Sequence, residues 1–204
     1  MDKNMDNSTF QYFAYGSNML TERIHINNPT AKLYGIGKLY GYRLAFDVPI
    51  GLPASNWHGA SGTIRPAGPK EYVYGVIWNI QTEDLAYLDS QENHYTPMQV
   101  DVELDGGETV SCRSYEMHYE TSRIPLPSPH YKRVIIAGAK QHGLPEDYIQ
   151  YLECFPDNGL EVVPPNYMRV LEVVAKYKVG KEKSGQITPL DYNIERELMT
   201  LVRA

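Results

Sequence analysis

Hydrophobic and polar positions alternate most cleanly near the middle of the chain, where Met98, Val100, Val102 and Leu104 interleave with Gln99, Asp101, Glu103 and Asp105. A period of two predicts a strand with one face buried and the other in water. Asp105-Gly106-Gly107 then turns the chain, and Glu108 to Tyr119 reads as the returning strand of a hairpin. Tyr72 to Ile80 predicts another strand, because Val73, Tyr74, Val76, Ile77 and Trp78 are β-branched or aromatic. The short aromatic run from Phe10 to Ala14 predicts one more. From Ala31 to Asp47, Leu, Tyr and Ile alternate around Gly35, Gly37 and Gly41, which fits strands bent at glycines in a small curved sheet or barrel. The Pro, Gly and Ser-rich stretch that follows reads as loop.

Helical spacing appears in fewer places. Met19 to Ile26 predicts a helix with Met19, Leu20 and Ile24 turned inward, and Ser17 or Asn18 in position to cap it. Thr82 reads as the N-cap of a short helix ending near Gln91, with Glu83 and Asp84 in its first turn and Leu85 and Leu88 on its apolar side. After the proline-rich segment from Ile124, Ser128-Pro129 opens a longer helix that Gly143 ends, and Pro145 to Cys154 forms another. Beyond Phe155 the periodicity weakens. Prolines at 156, 164 and 165, a Lys and Glu-rich patch from Lys176 to Lys183 that reads as a solvated face, and an amphipathic stretch from Tyr192 to Val202 are all that it shows. Short strands with interspersed helices, and no strict βα alternation, predict an α+β fold.

Composition narrows the function. With 204 residues the chain suits one domain, and 42% hydrophobic and 22% charged residues are ordinary globular values. A formal charge of −6 without a Lys/Arg block argues against nucleic acid as a partner, so a small solute is expected. No segment approaches the ~20 apolar residues of a membrane span, and the polar start has no signal-peptide core, which predicts a cytoplasmic protein without membrane contact. Cys112 and Cys154 are too few for a disulfide framework and read as reduced thiols, Cys112 as a small buried residue in a strand. The six histidines show no HxxxH or HExxH spacing, so no metal site is expected. Seventeen tyrosines against four phenylalanines point to half-buried surfaces where a ring packs and a hydroxyl reaches water or a ligand, as in a polar-lined cavity.

The stretch Tyr12-Phe13-Ala14-Tyr15-Gly16-Ser17-Asn18-Met19 carries the most chemical information. A strand that ends in a glycine turn and starts a helix presents backbone N–H groups and the positive end of a helix dipole, a setting for an anion or a developing oxyanion. A plain strand-to-helix turn with a capping serine accounts for the same residues, and the segment taken alone leaves both readings open.

YFAYGSNMLTERIHINNP resembles the N-terminal signature of the γ-glutamylcyclotransferases. So do LDSQEN, VSCRSYEM and PSPHYKRVIIAGAKQHGLP, in the family's order, and together they span roughly Phe10 to Phe155. The resemblance implies a small mixed β-barrel with flanking helices, cyclisation of γ-glutamyl amino acids to 5-oxoproline with release of the amino acid, no cofactor, and commonly a homodimer. It divides the chain into a flexible lead (1–8), a cyclotransferase domain (9–155) and a C-terminal extension (156–204) packing on or near it. It puts the family's proton-transferring carboxylate at Glu92, its substrate loop at Tyr12, Phe13, Ala14, Tyr15, Gly16, Ser17 and Asn18, and the tyrosine of its PSP-x-Y segment at Tyr131. A lyase of glutathione metabolism is the implied role.

The implied reaction makes demands that these residues suit. The substrate's α-amine must attack its own γ-carbonyl, and at neutral pH that amine is mostly protonated. A carboxylate can take the proton and return it to the departing amine. Holding the substrate bent matters as much, since well-oriented intramolecular reactions gain ~7–11 kcal/mol over separated reactants. Two alternatives stand beside this reading: a relative acting on another γ-glutamyl amine, such as glutathione or γ-glutamyl-lysine, and a non-catalytic binding protein of the same fold.

Overall fold

A computed structural model of the chain describes residues 8–49, 55–91, 94–117 and 125–201. Its strands are β1 (Thr9–Ala14), β2 (Lys32–Tyr40), β3 (Tyr42–Asp47), β4 (Ser61–Pro66), β5 (Tyr72–Gln81), β6 (Tyr95–Leu104) and β7 (Thr109–Met117). Five close into a barrel in the order β1-β5-β2-β6-β7, while β3 and β4 form a separate two-stranded sheet. Barrel neighbours run antiparallel except β1 and β7, which are parallel, so the barrel is mixed as expected.

So few strands leave little room inside, and two glycines relieve the crowding. Gly37 of β2 pairs with Gly75 of β5. A Cβ on Gly37 would lie 2.7 Å from the Glu103 carbonyl oxygen, and one on Gly75 would lie 2.5 Å from that of Ala14. Both neighbours are backbone atoms with no rotamer to yield, so the barrel closes only around bare Cα atoms at these positions. The alternation in β6 holds: Val100 and Val102 are buried, with Asp101 and Glu103 exposed. Strand β6 starts earlier than the alternation shows, at Tyr95, and meets β2 only through Glu103 and Leu104. Its first half is thereby an edge, where Pro97 is tolerated.

The stretch read as loop after Asp47 contains β4, whose sequence SGTIRP has one β-branched pair between glycine, arginine and proline. Pairing with β3, from Tyr42↔Pro66 to Asp47↔Ser61, makes it a strand. The two-stranded sheet is tied to the barrel by Arg65, a buried guanidinium that donates to Asp47 Oδ2 at 2.8 Å and to the Met117 carbonyl at 2.7 Å. Thr63 Oγ1 accepts from the Met117 N–H at 3.0 Å. Losing either member of the buried Arg65–Asp47 pair would strand a charge, typically a loss of about 3–5 kcal/mol.

The helices are α1 (Thr21–Ile24), α2 (Leu85–Gln91), α3 (Pro129–Gln141), α4 (Glu146–Cys154), α5 (Pro165–Ser184) and α6 (Pro189–Met199). The helix expected over Met19 to Ile26 is instead a 3-10 turn, Ser17–Met19, followed by the single turn of α1. Neither Ser17 nor Asn18 caps it; the Thr21 N–H is satisfied by Gln141 Oε1 of α3 at 2.9 Å. A distant side chain has replaced the local cap. Thr82 likewise caps nothing: it begins a 3-10 turn leading into α2, and its hydroxyl accepts from Ser8. At α3 the sequence signals hold, with Ser128 Oγ accepting from the Tyr131 N–H at 3.1 Å, Pro129 in the first turn, and Gly143 just past the end at φ +68°.

The weakly patterned tail is mostly helical. Of the 20 residues in α5 only Tyr167, Val170 and Val174 are buried, too narrow a stripe to stand out in sequence. Those three face the body of the protein. Tyr167 donates to the Leu198 carbonyl, Arg133 and Lys140 of α3 pair with Glu197 of α6, and His25 bridges Tyr177 of α5 and the Ala31 carbonyl. Helices α5 and α6 therefore pack on α1 and α3. Among the described residues, no helix is long and apolar enough to cross a membrane, and no group of His, Cys, Asp and Glu is arranged to hold a metal.

Candidate active site

The end of β1 opens into a cavity of about 430 Å³. One wall is the segment Tyr12, Tyr15, Gly16, Ser17 and Asn18, and Tyr131 of α3 faces it. Six of the eight expected substrate-binding residues thus share one cavity. Phe13 and Ala14 do not reach it: both are buried in the core, and the Phe13 ring fills the space beside Gly75.

The turn is held from behind. Asn18 donates through Nδ2 to the Tyr12 hydroxyl at 3.1 Å and accepts at its carbonyl from Trp78 Nε1 at 2.9 Å. The Gly16 carbonyl accepts from the Met19 N–H and that of Ser17 from Leu20, which defines the 3-10 turn. Gly138 of α3 sits against it so closely that a Cβ there would lie 2.6 Å from the Leu20 nitrogen. Tyr131 projects from the opposite end of the same helix, so α3 sets the distance between turn and tyrosine.

Tyrosine hydroxyls do most of the polar lining. Tyr131 accepts from the Gly62 N–H at 2.9 Å, and Tyr95 donates to the Gly62 carbonyl at 2.9 Å. The Tyr131 hydroxyl is closely flanked by two glycines: a Cβ on Gly16 or Gly62 would lie 3.1 or 3.2 Å from its oxygen and press the ring aside by a few tenths of an ångström. The Tyr131 ring packs edge-on against Trp57, centroids 5.0 Å apart, and against Phe46. Tyr15 donates to the Tyr115 carbonyl, and Tyr115 donates to Asp89 Oδ1. Burial, followed by the neighbouring Asp89 carboxylate, pushes the Tyr115 pKa well up, so it stays protonated as a donor. Among the described residues five tyrosines line this cavity, the polar-lined setting their excess over phenylalanine pointed to.

Glu92 lies outside the described residues, between Gln91, which ends α2, and His94 with Tyr95, both of which line the cavity. Among the described lining residues there is no aspartate or glutamate. Asp89 comes near but is engaged: Arg113 Nη2 holds its two oxygens at 2.8 Å each, with Arg113 Nε on Oδ1 at 3.0 Å. That ion pair fastens α2 to β7 and leaves Asp89 poorly suited to proton transfer. Cys112 is fully buried, and burial pushes its thiol up to about 12, as fits a packing residue and not a nucleophile.

Trp57, Gly62, Tyr95, Tyr115, Arg23 and Asn166 also line the cavity without having been singled out by sequence. The tyrosine excess was the signal for two of them. The others come from separate segments that only folding unites.

Behind the turn, His142 packs edge-on against Trp78 and touches Thr21 Oγ1 through Nε2 at 3.2 Å. Burial lowers its pKa from the ordinary 6.5 to about 4. Between those values the unfolded chain binds a proton that the folded chain refuses. The contribution of this residue to stability is therefore complete above about pH 6.5 and declines as pH falls toward about 4. The urea midpoint is expected to drop between pH 7 and pH 5, and to drop less in His142→Gln. An identical drop in both proteins would rule out His142 as a source.

Comparison with known proteins gives a consistent family. Residues 72–152 match the model of the AIG2-like family. The chain is 42% identical to a γ-glutamylcyclotransferase from Bos taurus over 161 residues, which is 76% of this chain and 84% of the relative. It is 40% identical to the Homo sapiens γ-glutamylcyclotransferase over 158 residues, covering 75% and 82%. Among solved structures, one γ-glutamyl cyclotransferase superposes with a TM-score of 0.77 at 35% identity, covering 83% of this chain and 99% of that one.

Proposed function

The chain belongs to the γ-glutamylcyclotransferase family, and on that premise we propose that it cyclises γ-glutamyl amino acids to 5-oxoproline, releasing the amino acid, with Glu92 moving the protons. The observation that carries the reading is the cavity itself: the Gly16-Ser17-Asn18 turn facing the Tyr131 hydroxyl, with no described carboxylate between them. The carboxylate is supplied in this reading by Glu92, two residues before His94 of the lining.

In this mechanism Glu92 accepts a proton from the substrate's ammonium, and the freed amine adds to the γ-carbonyl. The bond to the departing nitrogen then breaks as Glu92 returns the proton to it, and the ring nitrogen's surplus proton passes to the released amine, which leaves as an ammonium. Oxygen charge developing on the γ-carbonyl needs fixed donors, and the turn amides and cavity tyrosines are of the right kind. A carboxylate serves both steps best when its pKa lies near working pH. Tyr12, Tyr15, Ser17, Asn18 and Tyr131 bind substrate in this reading, with Gly16 giving the turn its close approach. Phe13 and Ala14 support the turn from within the core.

A cytoplasmic location, a role in glutathione metabolism and a homodimeric assembly complete the proposal, on the strength of the family. No cofactor enters the chemistry, since addition and elimination need only proton transfer. The direct test is to incubate the protein with γ-glutamyl-alanine, glutathione and γ-glutamyl-lysine and measure 5-oxoproline. Fastest formation from γ-glutamyl-alanine is expected. Faster formation from either other compound would reassign the substrate, and none from any of the three would leave a binding protein of this fold.

A further inference from the structure

The carboxylate that moves protons in the reading above belongs to the link between α2, which ends at Gln91, and β6, which starts at Tyr95. Asp89 of α2 precedes Glu92 by three residues, and the cavity-lining His94 follows it by two. The far end of the link is fixed by Tyr95, whose hydroxyl donates to the Gly62 carbonyl at 2.9 Å. The near end depends on how α2 is held. Seven residues are too few for a helix to be stable alone, and among the described side chains of α2 only Leu88 is buried.

Polar bonds supply the rest. In the turn before α2, Thr30 donates to Asp84. At the end of α2 nearer the cavity, Arg113 grips Asp89: Nη2 reaches both carboxylate oxygens at 2.8 Å and Nε reaches Oδ1 at 3.0 Å. Tyr115 donates to the same Oδ1 and accepts from Arg113 Nε at 3.0 Å, with the guanidinium carbon 5.4 Å from its ring centroid. Two planar groups joined by several bonds are fixed in orientation as well as in distance. Arg113 is also the residue of β7 that pairs with Tyr12 of β1, the strand leading into the Gly16-Ser17-Asn18 turn. Through this one side chain α2 is set in register with the strand that carries the turn.

The pair has an electrostatic consequence too. Chain length alone keeps the Cα atoms of Asp89 and Glu92 within about 11 Å, close to the ~10 Å Debye length at 0.1 M salt, so an unpaired charge on Asp89 would be felt at Glu92. We propose that Asp89 and Arg113, braced by Tyr115, are positioning residues for the reaction: they aim the end of α2 toward the substrate turn and balance the Asp89 charge, so that Glu92 meets the substrate's ammonium in place. The inference rests on the cyclisation reading above. Partly exposed ion pairs add little to stability, and these side chains are 24% and 40% exposed, so the worth of this pair is expected in turnover.

The test follows 5-oxoproline formation from γ-glutamyl-alanine across pH, with turnover normalised to folded protein by near-UV circular dichroism. Asp89→Asn and Arg113→Gln are each expected to lower kcat about 10- to 100-fold with KM changed less, and Arg113→Lys to recover part of the loss as a cation without the planar fork. The acid limb of kcat/KM reports the base of the free enzyme. Arg113→Gln leaves Asp89 a bare anion, so the limb is expected to move up by roughly 0.3–1 pH unit; Asp89→Asn leaves Arg113 a bare cation, so it is expected to move down by a similar amount. The double variant Asp89→Asn/Arg113→Gln should return the limb toward its wild-type position while kcat stays low. His94, Arg23 and the cavity tyrosines are common to every variant, so the differences report on the pair. Single variants that keep wild-type kcat would overturn the proposal. So would a loss of kcat with the limb unmoved, or moved the same way in both, since loosening of the fold alone has no sign. Either outcome leaves the cyclisation reading intact, whereas wild type forming no 5-oxoproline would overturn both.

Discussion

Glu92→Gln is expected to lower kcat for 5-oxoproline formation from γ-glutamyl-alanine by about 10²–10⁴-fold, the usual contribution of a positioned acid–base group. The amide keeps the size and hydrogen-bonding reach of the side chain but cannot accept the ammonium proton. Substrate binding should be changed little, so the loss should fall on kcat with KM near its original value. Thermal unfolding is expected to change by no more than about 1 kcal/mol, the central tendency for single substitutions. Retained turnover in the variant would remove Glu92 from its role. Since His94 also lines the cavity, it would then be the imidazole to replace next.

Gly138→Ala tests how the site is held together, without touching it. The added Cβ would lie 2.6 Å from the Leu20 nitrogen and 2.8 Å from the Met19 carbonyl carbon. Both are backbone, so α3 and the 3-10 turn must separate. Overpacking of this kind typically costs about 1–3 kcal/mol. The consequence for activity should be larger than for stability, because the same helix carries Tyr131 at its start and sets the turn opposite it. A loss of kcat/KM on the order of 10²-fold is expected, as for small misplacements of reacting groups. Gly180 of α5 provides the control: nothing lies within 4 Å of a Cβ there, so Gly180→Ala should stabilise by about 0.5–1 kcal/mol through helix propensity alone. If Gly138→Ala behaved like Gly180→Ala, the close approach of α3 to the turn would have no functional weight.

The amino-acid sequence announces structure most directly where one element's own residues decide it. The alternation in β6, the Asp105-Gly106-Gly107 turn, and the Ser128, Pro129 and Gly143 boundaries of α3 all rest on contacts between near neighbours. Structure is least legible where a partner elsewhere in the chain takes over. The cap sought in Ser17 or Asn18 is supplied by Gln141, and β4 is a strand because β3 lies beside it. The helices of the tail are stabilised by α3 and by each other, which their own narrow apolar stripe does not announce.

The site divides along the same line. The turn from Tyr12 to Asn18 is contiguous, and its likeness to a family signature could be read directly, as could those of Glu92 and Tyr131. The cavity is a different kind of object. Its polar edges are set by bonds between residues far apart in the chain, Tyr131 with Gly62, Tyr15 with Tyr115, Asn166 with Asn56. Local sequence determined most of the barrel strands, the Asp105-Gly106-Gly107 turn and the chemical vocabulary, because short-range sterics and hydrogen bonds act within a few residues. Only the tertiary structure decided which tyrosines share a cavity and that Phe13 and Ala14 face the core. Those outcomes depend on how β1, α3 and the β3–β4 sheet pack around a barrel too narrow for a side chain at Gly37 or Gly75.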